Sequence, residues 1–342
     1  MIPMGAVWLR FPRFVGDAVM MHQAAAGLRA AGRPLVAWGP PATVELFEGS
    51  AGYAGVAPDP TRKPGLLEAA SLLRKHRPAA VLALPKSMRA PAAALVAGVR
   101  RRVGCTDGGT GLVLTAGARY KGRDDHAIDR YLDAIHRGFP EIPDGPFTPF
   151  RPREESLAAA SSAAPTLGLE GRPCIAFAIG AASHSKRLGL ETLVVIARQA
   201  LAEGFGVVVL GGSVYDLDWA AKLKARVPEV VDLTGKLPWS QSAAWLCRAA
   251  AVLANDSGLA HLAAACGSRV VTVFGPTVPR HTAPRGPRAT VLRVENLPCL
   301  ECLEWQCPVP GHPCMNQVPP EMLWQALTAP EGASAPVSLR TS

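Results

Sequence analysis

Residues 250–265 read AAVLANDSGLAHLAAA, and this stretch decides the fold. An apolar run typical of a buried strand leads directly into Asp256 and Ser257, two residue types favoured at helix N-caps. A helix of small residues then begins at Gly258. This strand-turn-helix order predicts an α/β unit whose helix N-terminus, with its free N–H groups and dipole, suits a diphosphate. On this stretch alone, an ordinary capped helix remains an alternative.

The same alternation of short apolar runs and helix-period segments continues along both halves of the chain. A chain of 342 residues is expected to form about two domains. We therefore predict an α/β fold with two Rossmann-like open parallel sheets facing a cleft. The first domain is predicted over residues 1–165, the second over 166–328 and a flexible tail over 329–342. Proline and glycine within residues 138–173 indicate a linker.

Composition and charge exclude some classes of protein. With 49% hydrophobic and 18% charged residues, the chain can bury a core and is not expected to be disordered. No apolar run is long enough to span a membrane, and residues 1–10 do not resemble a signal peptide, so a cytoplasmic location is predicted. Of the net charge of +9, an excess of seven positive charges lies in residues 1–150. That half favours a polyanionic partner, although a solvated basic surface is the alternative.

Two further loops follow predicted strands and could contact a phosphate. Residues 274–277, Phe-Gly-Pro-Thr, offer N–H groups and a hydroxyl, or form only a tight turn. Residues 180–187 deliver Lys186, a suitable point charge for a leaving phosphate. This second loop is not a P-loop, because Ser185 and Arg187 stand where that motif requires glycine and a hydroxyl residue.

Three acidic residues are candidates for chemistry. Asp17 lies near the start of the first predicted helix, where it could be a general base or merely a cap. Asp216 and Asp218 match the Asp-x-Asp pattern with which some glycosyltransferases hold a metal–nucleotide pair. We interpret these two as acids at a helix start, and keep a metal-dependent transferase as a rival hypothesis.

Four of the eight cysteines are spaced C-x2-C-x4-C-x6-C near the end of the chain. In a reducing compartment such a cluster favours a metal over disulfides. A structural zinc ion, an iron–sulfur cluster and reduced thiols all stay open, with zinc slightly favoured. The four residues are Cys299, Cys302, Cys307 and Cys314.

Together these residues resemble glycosyltransferase family 9, the ADP-heptose:lipopolysaccharide heptosyltransferases, and most of all the type that adds the second heptose. The resemblance is most specific at Asn255–His261 and Phe274–Thr277, and it extends over about residues 5–328. Further matching pieces are Val15–Asp17, Leu84–Ser87, Ala97–Arg100 and Lys186–Arg187. One departure is Leu188, where many relatives carry tryptophan.

The resemblance implies a GT-B architecture and an inverting, metal-independent transfer of heptose from ADP-heptose to the inner core of lipopolysaccharide, with no cofactor required. It implies that Asp17 is the general base and that Lys186 neutralises the diphosphate. The predicted donor-binding residues are Ser183, Lys186, Asp256, Ser257, Gly258, Leu259, His261, Gly275, Pro276 and Thr277. The basic excess supplies the predicted acceptor-binding residues Arg13, Lys86, Arg89, Arg119, Lys121 and Arg123.

The implied partners are ADP-heptose, an anionic lipid-linked core oligosaccharide and the cytosolic face of the inner membrane. One rival is a family 9 transferase with a different nucleotide sugar or acceptor glycan. A second rival is a non-catalytic nucleotide- or RNA-binding protein. Aromatic residues make up only 6% of the chain and no basic segment is interleaved with them, so no nucleic-acid partner is expected.

Overall fold

The computed structural model describes residues 2–61, 64–84, 87–119, 125–330 and 339–340. The chain divides into two compact units. The first comprises Met1–Glu154 with Pro238–Ser240, and the second comprises Glu155–Leu237 with Gln241–Ser342. Within the described ranges, no helix has the length and apolar character needed to cross a bilayer.

The first unit is built on a six-stranded parallel sheet with strand order β3-β2-β1-β4-β5-β6. Its strands are β1 (Val7–Arg10), β2 (Leu35–Gly39), β3 (Tyr53–Pro58), β4 (Ala80–Ala83), β5 (Arg101–Cys105) and β6 (Ala116–Ala118). Its helices are α1 (Val15–Ala24), α2 (Ala26–Ala30), α3 (Pro41–Val44), α4 (Leu66–His76), α5 (Arg89–Val96) and α6 (Ala127–Gly138).

The second unit repeats this plan with strand order β12-β11-β10-β7-β8-β9, again all parallel. The strands are β7 (Cys174–Ala178), β8 (Gly206–Leu210), β9 (Val231–Asp232), β10 (Ala251–Asn255), β11 (Val270–Val273) and β12 (Ala289–Leu292). The longer helices are α7 (Glu154–Thr166), α8 (Leu190–Ala202), α9 (Val214–Arg226), α10 (Trp239–Arg248) and α11 (Gly258–Ala265). Shorter elements follow as α12 (Pro279–Thr282), β13 (Val294–Glu295), α13 (Pro313–Asn316), α14 (Pro320–Thr328) and β14 (Leu339–Arg340).

Several strands of both sheets are buried along their whole length. Every residue of β2, β4, β7, β8, β10 and β11 is buried. Parallel strands covered by helices on both faces are expected to be continuously apolar rather than alternating, which is how these segments read in the sequence. The predicted α/β fold with two parallel sheets is confirmed.

The order in which strands are added changes side once within each sheet. In the first sheet the chain leaves β1 on one side and returns to β4 on the other, and in the second sheet β7 and β10 are the corresponding neighbours. Loops at the carboxyl ends of such neighbouring strands diverge and leave a crevice where ligands bind in open α/β sheets. The loops after β1, β7 and β10 are therefore expected to contribute to ligand sites.

The structure corrects the predicted linker over residues 138–173. Residues Glu154–Thr166 form the 13-residue helix α7 instead. Its alanine-rich sequence favours a helix, and Ser156, Ala160 and Ala164, spaced four apart, are buried along one face. Most of the predicted tail over residues 329–342 lies outside the described residues. Leu339–Arg340 pair in parallel with Val294–Glu295.

A buried histidine lies inside the first unit. Nδ1 of His22 is 3.1 Å from Oη of Tyr53 and 3.3 Å from Nη1 of Arg29. The rings of Phe47 and Phe150 pack around it. Burial lowers the pKa of His22 well below its ordinary value, and the neighbouring charge of Arg29 lowers it further. His22 is therefore neutral in the folded protein near neutral pH.

This histidine should make the protein less stable in acid. Unfolded His22 takes up a proton near pH 6.5, whereas folded His22 stays neutral until much lower pH, so lowering the pH favours unfolding. Its contribution to the free energy of unfolding should fall by about 1 kcal/mol between pH 7 and 5.5. His22→Gln cannot titrate, so urea unfolding at several pH values should show a weaker pH dependence for this variant. Equal pH dependence in the two proteins would contradict the assignment.

Candidate active site

Three loops meet at the carboxyl edge of the second sheet, because β11, β10 and β7 lie side by side there. Nζ of Lys186, in the loop after β7, lies 2.7 Å from Oδ2 of Asp256, which follows β10. Oγ1 of Thr277, in the loop after β11, donates a hydrogen bond to the same oxygen at 2.8 Å. The structure thus brings together one predicted donor-binding residue from each of the three loops.

The charges at this point are unequally exposed. The Asp256 side chain is 8% exposed, whereas that of Lys186 is 22% exposed. A half-buried ammonium remains close enough to water to receive an anion, while the carboxylate beneath it fixes its position. A phosphate oxygen is the natural partner for such a cation, since charge-assisted hydrogen bonds are stronger than neutral ones.

The helix α11 begins directly beside this carboxylate, with Ser257 at the N-cap position. The sequence predicted that Asp256 or Ser257 would cap this helix through its side chain. That prediction is wrong, because Asp256 binds Lys186 and Thr277 instead, and the Ser257 hydroxyl has no hydrogen-bond partner among the described residues. The first N–H groups of α11 therefore keep their capacity to bind an anion. Leu259 and His261 are buried within the same helix.

Asn255 is a residue of this site that the sequence analysis missed. Its buried amide accepts a hydrogen bond from the Leu188 N–H at 3.0 Å and donates one to the Ile179 carbonyl at 2.8 Å. Two ends of the loop that carries Lys186 are thereby tied to β10. A polar residue at the end of a fully apolar strand was the available signal, since a buried amide needs specific partners.

Arg187 points away from Lys186 and forms a buried ion pair. Its Nη1 lies 2.6 Å from Oδ1 of Asp216. Oδ2 of Asp216 accepts hydrogen bonds from the N–H groups of Gly212 and Ser213, and Ser213 caps α9 in return. Both oxygens of Asp216 are therefore occupied within the protein.

The second acid of the Asp-x-Asp pattern lies in a different environment. Asp218 is exposed and pairs with Lys222 one turn later in α9, at 2.7 Å. The two acids do not face one another as a metal clamp. Reading them as acids at a helix start agrees with this geometry.

The remaining predicted donor residues lie beside the same loops. Ser183 is buried, and its hydroxyl is 3.1 Å from that of Ser185. Gly275 has no room for a side chain, since a Cβ placed there would lie 2.6 Å from Sγ of Cys314. Pro276 follows in the loop that ends at Thr277. The glycine is therefore required by the packing of the C-terminal cysteine segment.

The four clustered cysteines differ in exposure. Cys314 is buried, Cys299 and Cys307 are half-buried, and Cys302 is exposed. Burial, with a smaller effect from the other three thiols nearby, raises the pKa of Cys314 to about 12. Within the described ranges, no three cysteine, histidine or acidic side chains are arranged to hold a metal ion. Zinc at this cluster stays a prediction.

Asp17 is the third residue of α1, the helix that follows β1, and Phe14 occupies the N-cap position of that helix. It is therefore not the cap, which was the alternative to a catalytic role. Burial raises the pKa of Asp17 above its ordinary value, while the positive charge of Arg130 partly offsets that rise. A half-buried carboxylate with a raised pKa is a better proton acceptor than an exposed one.

Two predicted acceptor residues, Arg13 and Arg89, line one cavity of about 580 Å³ in the first unit. Arg10 lines it too, but its guanidinium is paired with Asp59, with Nη2 2.8 Å from Oδ2, and lies over the Trp38 ring. Its charge is therefore largely neutralised. Arg13 and Arg89 are the other cations among its described lining residues.

Of the other predicted acceptor residues, only Arg119 is among the described residues, and it does not line that cavity. Arg119 is exposed and follows β6. Lys86, Lys121 and Arg123 lie outside the described residues.

The buried and the exposed acid of α9 provide a matched pair of variants. Asp216→Ala should lower the free energy of unfolding by about 3–5 kcal/mol, because it leaves Arg187 buried without its carboxylate. Asp218→Ala removes only an exposed pair and should cost about 0.5 kcal/mol. Urea unfolding of both variants measures the difference. Similar losses for the two would show that the Arg187 pair is not the stronger constraint.

Comparison with known proteins places the chain in a family. The family model described as Glycosyltransferase family 9 (heptosyltransferase) matches residues 68–312. Lipooligosaccharide heptosyltransferase 2 of Haemophilus influenzae is 28% identical over 155 residues, which cover 44% of each chain. The matched region thus spans less than half the length of this curated relative.

Two solved structures share the fold. The E. coli ADP-heptose lps heptosyltransferase II superposes with a TM-score of 0.76 and 22% identity, covering 95% of this chain and 98% of that one. E. coli heptosyltransferase WaaC with ADP gives 0.69 and 18%, covering 94% and 98%. Since the family model covers well over half of the residues, this chain belongs to glycosyltransferase family 9.

Proposed function

We propose that this protein is an inverting glycosyltransferase that moves a heptose from ADP-heptose to the inner core of lipopolysaccharide, without a metal ion. The observation that carries the proposal is the convergence of Lys186 and Thr277 on Asp256 beside the N-terminus of α11. Membership of family 9 supports it. The names of the similar E. coli and Haemophilus proteins favour heptose as the sugar.

The donor end of the reaction needs positive charge at the leaving diphosphate. Lys186 and the first N–H groups of α11 provide this charge from fixed positions, as a metal ion does in other transferases. Thr277 adds a hydroxyl donor. Ser183 and Gly258 lie beside these groups, and the small size of Gly258 lets a ligand approach the backbone. Gly275 lies in the same loop as Thr277, with Cys314 packed against it.

Asp17 performs the proton transfer at the acceptor end. Its carboxylate removes the proton from the attacking acceptor hydroxyl, whose oxygen forms a new bond to the anomeric carbon of the donor sugar. The bond from that carbon to the diphosphate breaks, and ADP leaves with the electron pair. Attack from the face opposite the leaving group inverts the configuration.

The first unit binds the acceptor. The cavity lined by Arg13 and Arg89 offers two cations to the carboxylates and phosphates of an acidic inner-core saccharide. The excess of seven positive charges in residues 1–150 supports an anionic lipid-linked acceptor. We extend this to a cytoplasmic protein in peripheral contact with the inner membrane, where such an acceptor is located.

Asp17→Asn should abolish transfer and preserve donor binding. Without a base, turnover should fall about 100-fold or more, because general-base catalysis contributes at least that much. The assay is mass analysis of the product from ADP-heptose and truncated lipopolysaccharide cores, with and without EDTA, together with ADP titration of both proteins. Near wild-type turnover in the variant would overturn the role of Asp17. Loss of turnover both in EDTA and in Asp218→Ala would overturn metal independence, whereas loss in EDTA alone would point to a metal at the cysteine cluster.

The pH profile provides a control on the same residue. Since the base acts only when ionised, kcat/KM should fall as the pH drops through the pKa of Asp17, which burial raises above its ordinary value. Arg130→Gln removes a charge that lowers this pKa, so the acidic limb should move to higher pH. An unmoved limb would mean that another group titrates.

Arg13→Ala should weaken acceptor binding specifically. The KM for the lipopolysaccharide core should rise, and its dependence on salt concentration should become weaker, because one screened ionic contact is lost. The donor KM should be unchanged. Arg100→Ala is the matched control, since Arg100 is exposed just before β5, at the opposite edge of the sheet. The same rise in acceptor KM for both variants would indicate a general charge effect rather than a site.

A further inference from the structure

We propose that the cysteine-rich segment, residues 299–316, positions Lys186 and Thr277 for the donor diphosphate, and that Ser185 and His312 are the positioning residues through which it acts. We call this segment the clasp. The proposal rests on the proposed function, in which the Lys186 loop receives the diphosphate of the donor.

The N–H, the hydroxyl and the carbonyl of Ser185 are all hydrogen-bonded to the clasp. The N–H of Ser185 donates to the Trp305 carbonyl at 3.1 Å, and its hydroxyl donates to the Glu304 carbonyl. The carbonyl of Ser185 accepts a hydrogen bond from Nε2 of His312 at 2.7 Å. Ser185 is 2% exposed. The backbone immediately before Lys186 is therefore fixed from both sides by a segment more than 100 residues away in the sequence.

The same segment is bonded to the loop that carries Thr277. The N–H of Glu301 donates to the Gly275 carbonyl at 3.3 Å, and the N–H of Leu303 donates to the Pro276 carbonyl at 2.9 Å. The Cys314 side chain occupies the space where a Cβ on Gly275 would lie. The clasp thus contacts both loops within two residues of the side chains that meet at Asp256.

The backbone of the clasp region is strained where it makes these contacts. Among the described non-glycine residues, five have positive φ, and four of them lie between residues 296 and 312. Glu301 and Leu303, with φ of 59° and 58°, are the two residues whose N–H groups reach the second loop. Left-handed conformations of this kind are unfavourable and persist where the surroundings impose them, often at functional sites.

These contacts control the position of the two donor-binding side chains. The Lys186 ammonium and the Thr277 hydroxyl meet at one oxygen of Asp256, yet they come from loops after different strands. The clasp is bonded to residues 185 and 276, each one position before those side chains. Loosening it should separate two groups that have to contact one diphosphate together.

His312→Ala tests the proposal through nucleotide binding. Losing one hydrogen bond to Ser185 should raise the Kd for ADP about 5- to 10-fold, leaving the acceptor KM unchanged. His312→Gln keeps an N–H donor at the position of Nε2 and should restore the Kd to within about 2-fold of wild type. Gln306→Ala, at an exposed residue of the clasp, is the matched control and should bind ADP like wild type.

A double variant separates positioning from general damage. In a Lys186→Ala background, His312→Ala should weaken ADP binding by less than about 2-fold, because the side chain that it positions is already absent. An equal effect in both backgrounds, or no effect of His312→Ala in the wild-type background, would overturn the proposal. If the wild-type protein does not bind ADP, the proposed donor is wrong. In that case amide hydrogen exchange tests the role of the clasp independently of the donor. The Ser185 amide should exchange faster in His312→Ala than in Gln306→Ala, and equal rates would overturn that role.

Discussion

The hydrogen bonds to Oδ2 of Asp256 join the three loops at the carboxyl edge of the second sheet. This oxygen accepts from Lys186, after β7, and from Thr277, after β11, while Asp256 itself follows the strand between them. Because β10 lies between β7 and β11, one carboxylate can join three loops without any long connection. The parallel sheet thus determines which residues can meet, and the carboxylate determines how closely they do.

The two units use the same architectural feature for different chemistry. In each sheet the proposed functional residues follow the neighbouring strands between which the strand order changes side: Asp17 follows β1, Lys186 follows β7 and Asp256 follows β10. Burial raises the pKa of Asp17, which suits a proton acceptor. In the second unit a cation and helix N–H groups suit an anion. One fold therefore places the proposed base and the proposed anion-binding site at equivalent loops.

Sequence patterns predicted the parts of this structure that depend on neighbouring residues. The apolar strands, the loops after them and the candidates Lys186, Asp256 and Thr277 were all visible as local motifs. The partners of Asn255 and Ser185 were not, because they lie far away in the sequence and include backbone carbonyls of any residue type. The helix Glu154–Thr166 was missed because nearby prolines outweighed its alanines. Asp256 or Ser257 was expected to cap α11, but the Asp256 carboxylate instead pairs with Lys186, 70 residues earlier in the sequence.

The separation along the chain between the clasp and the Lys186 loop has a consequence for synthesis. His312 contacts Ser185 across 127 residues, so this contact cannot form until both segments have been synthesised. Domains fold as their residues emerge from the ribosome, and contacts between distant segments form late. A nascent chain that has completed β7 to β11 would already have Lys186 and Asp256, but their loops would still lack this support. The proposed donor site would therefore be complete only after residue 312 has emerged, when most of the second unit has been synthesised.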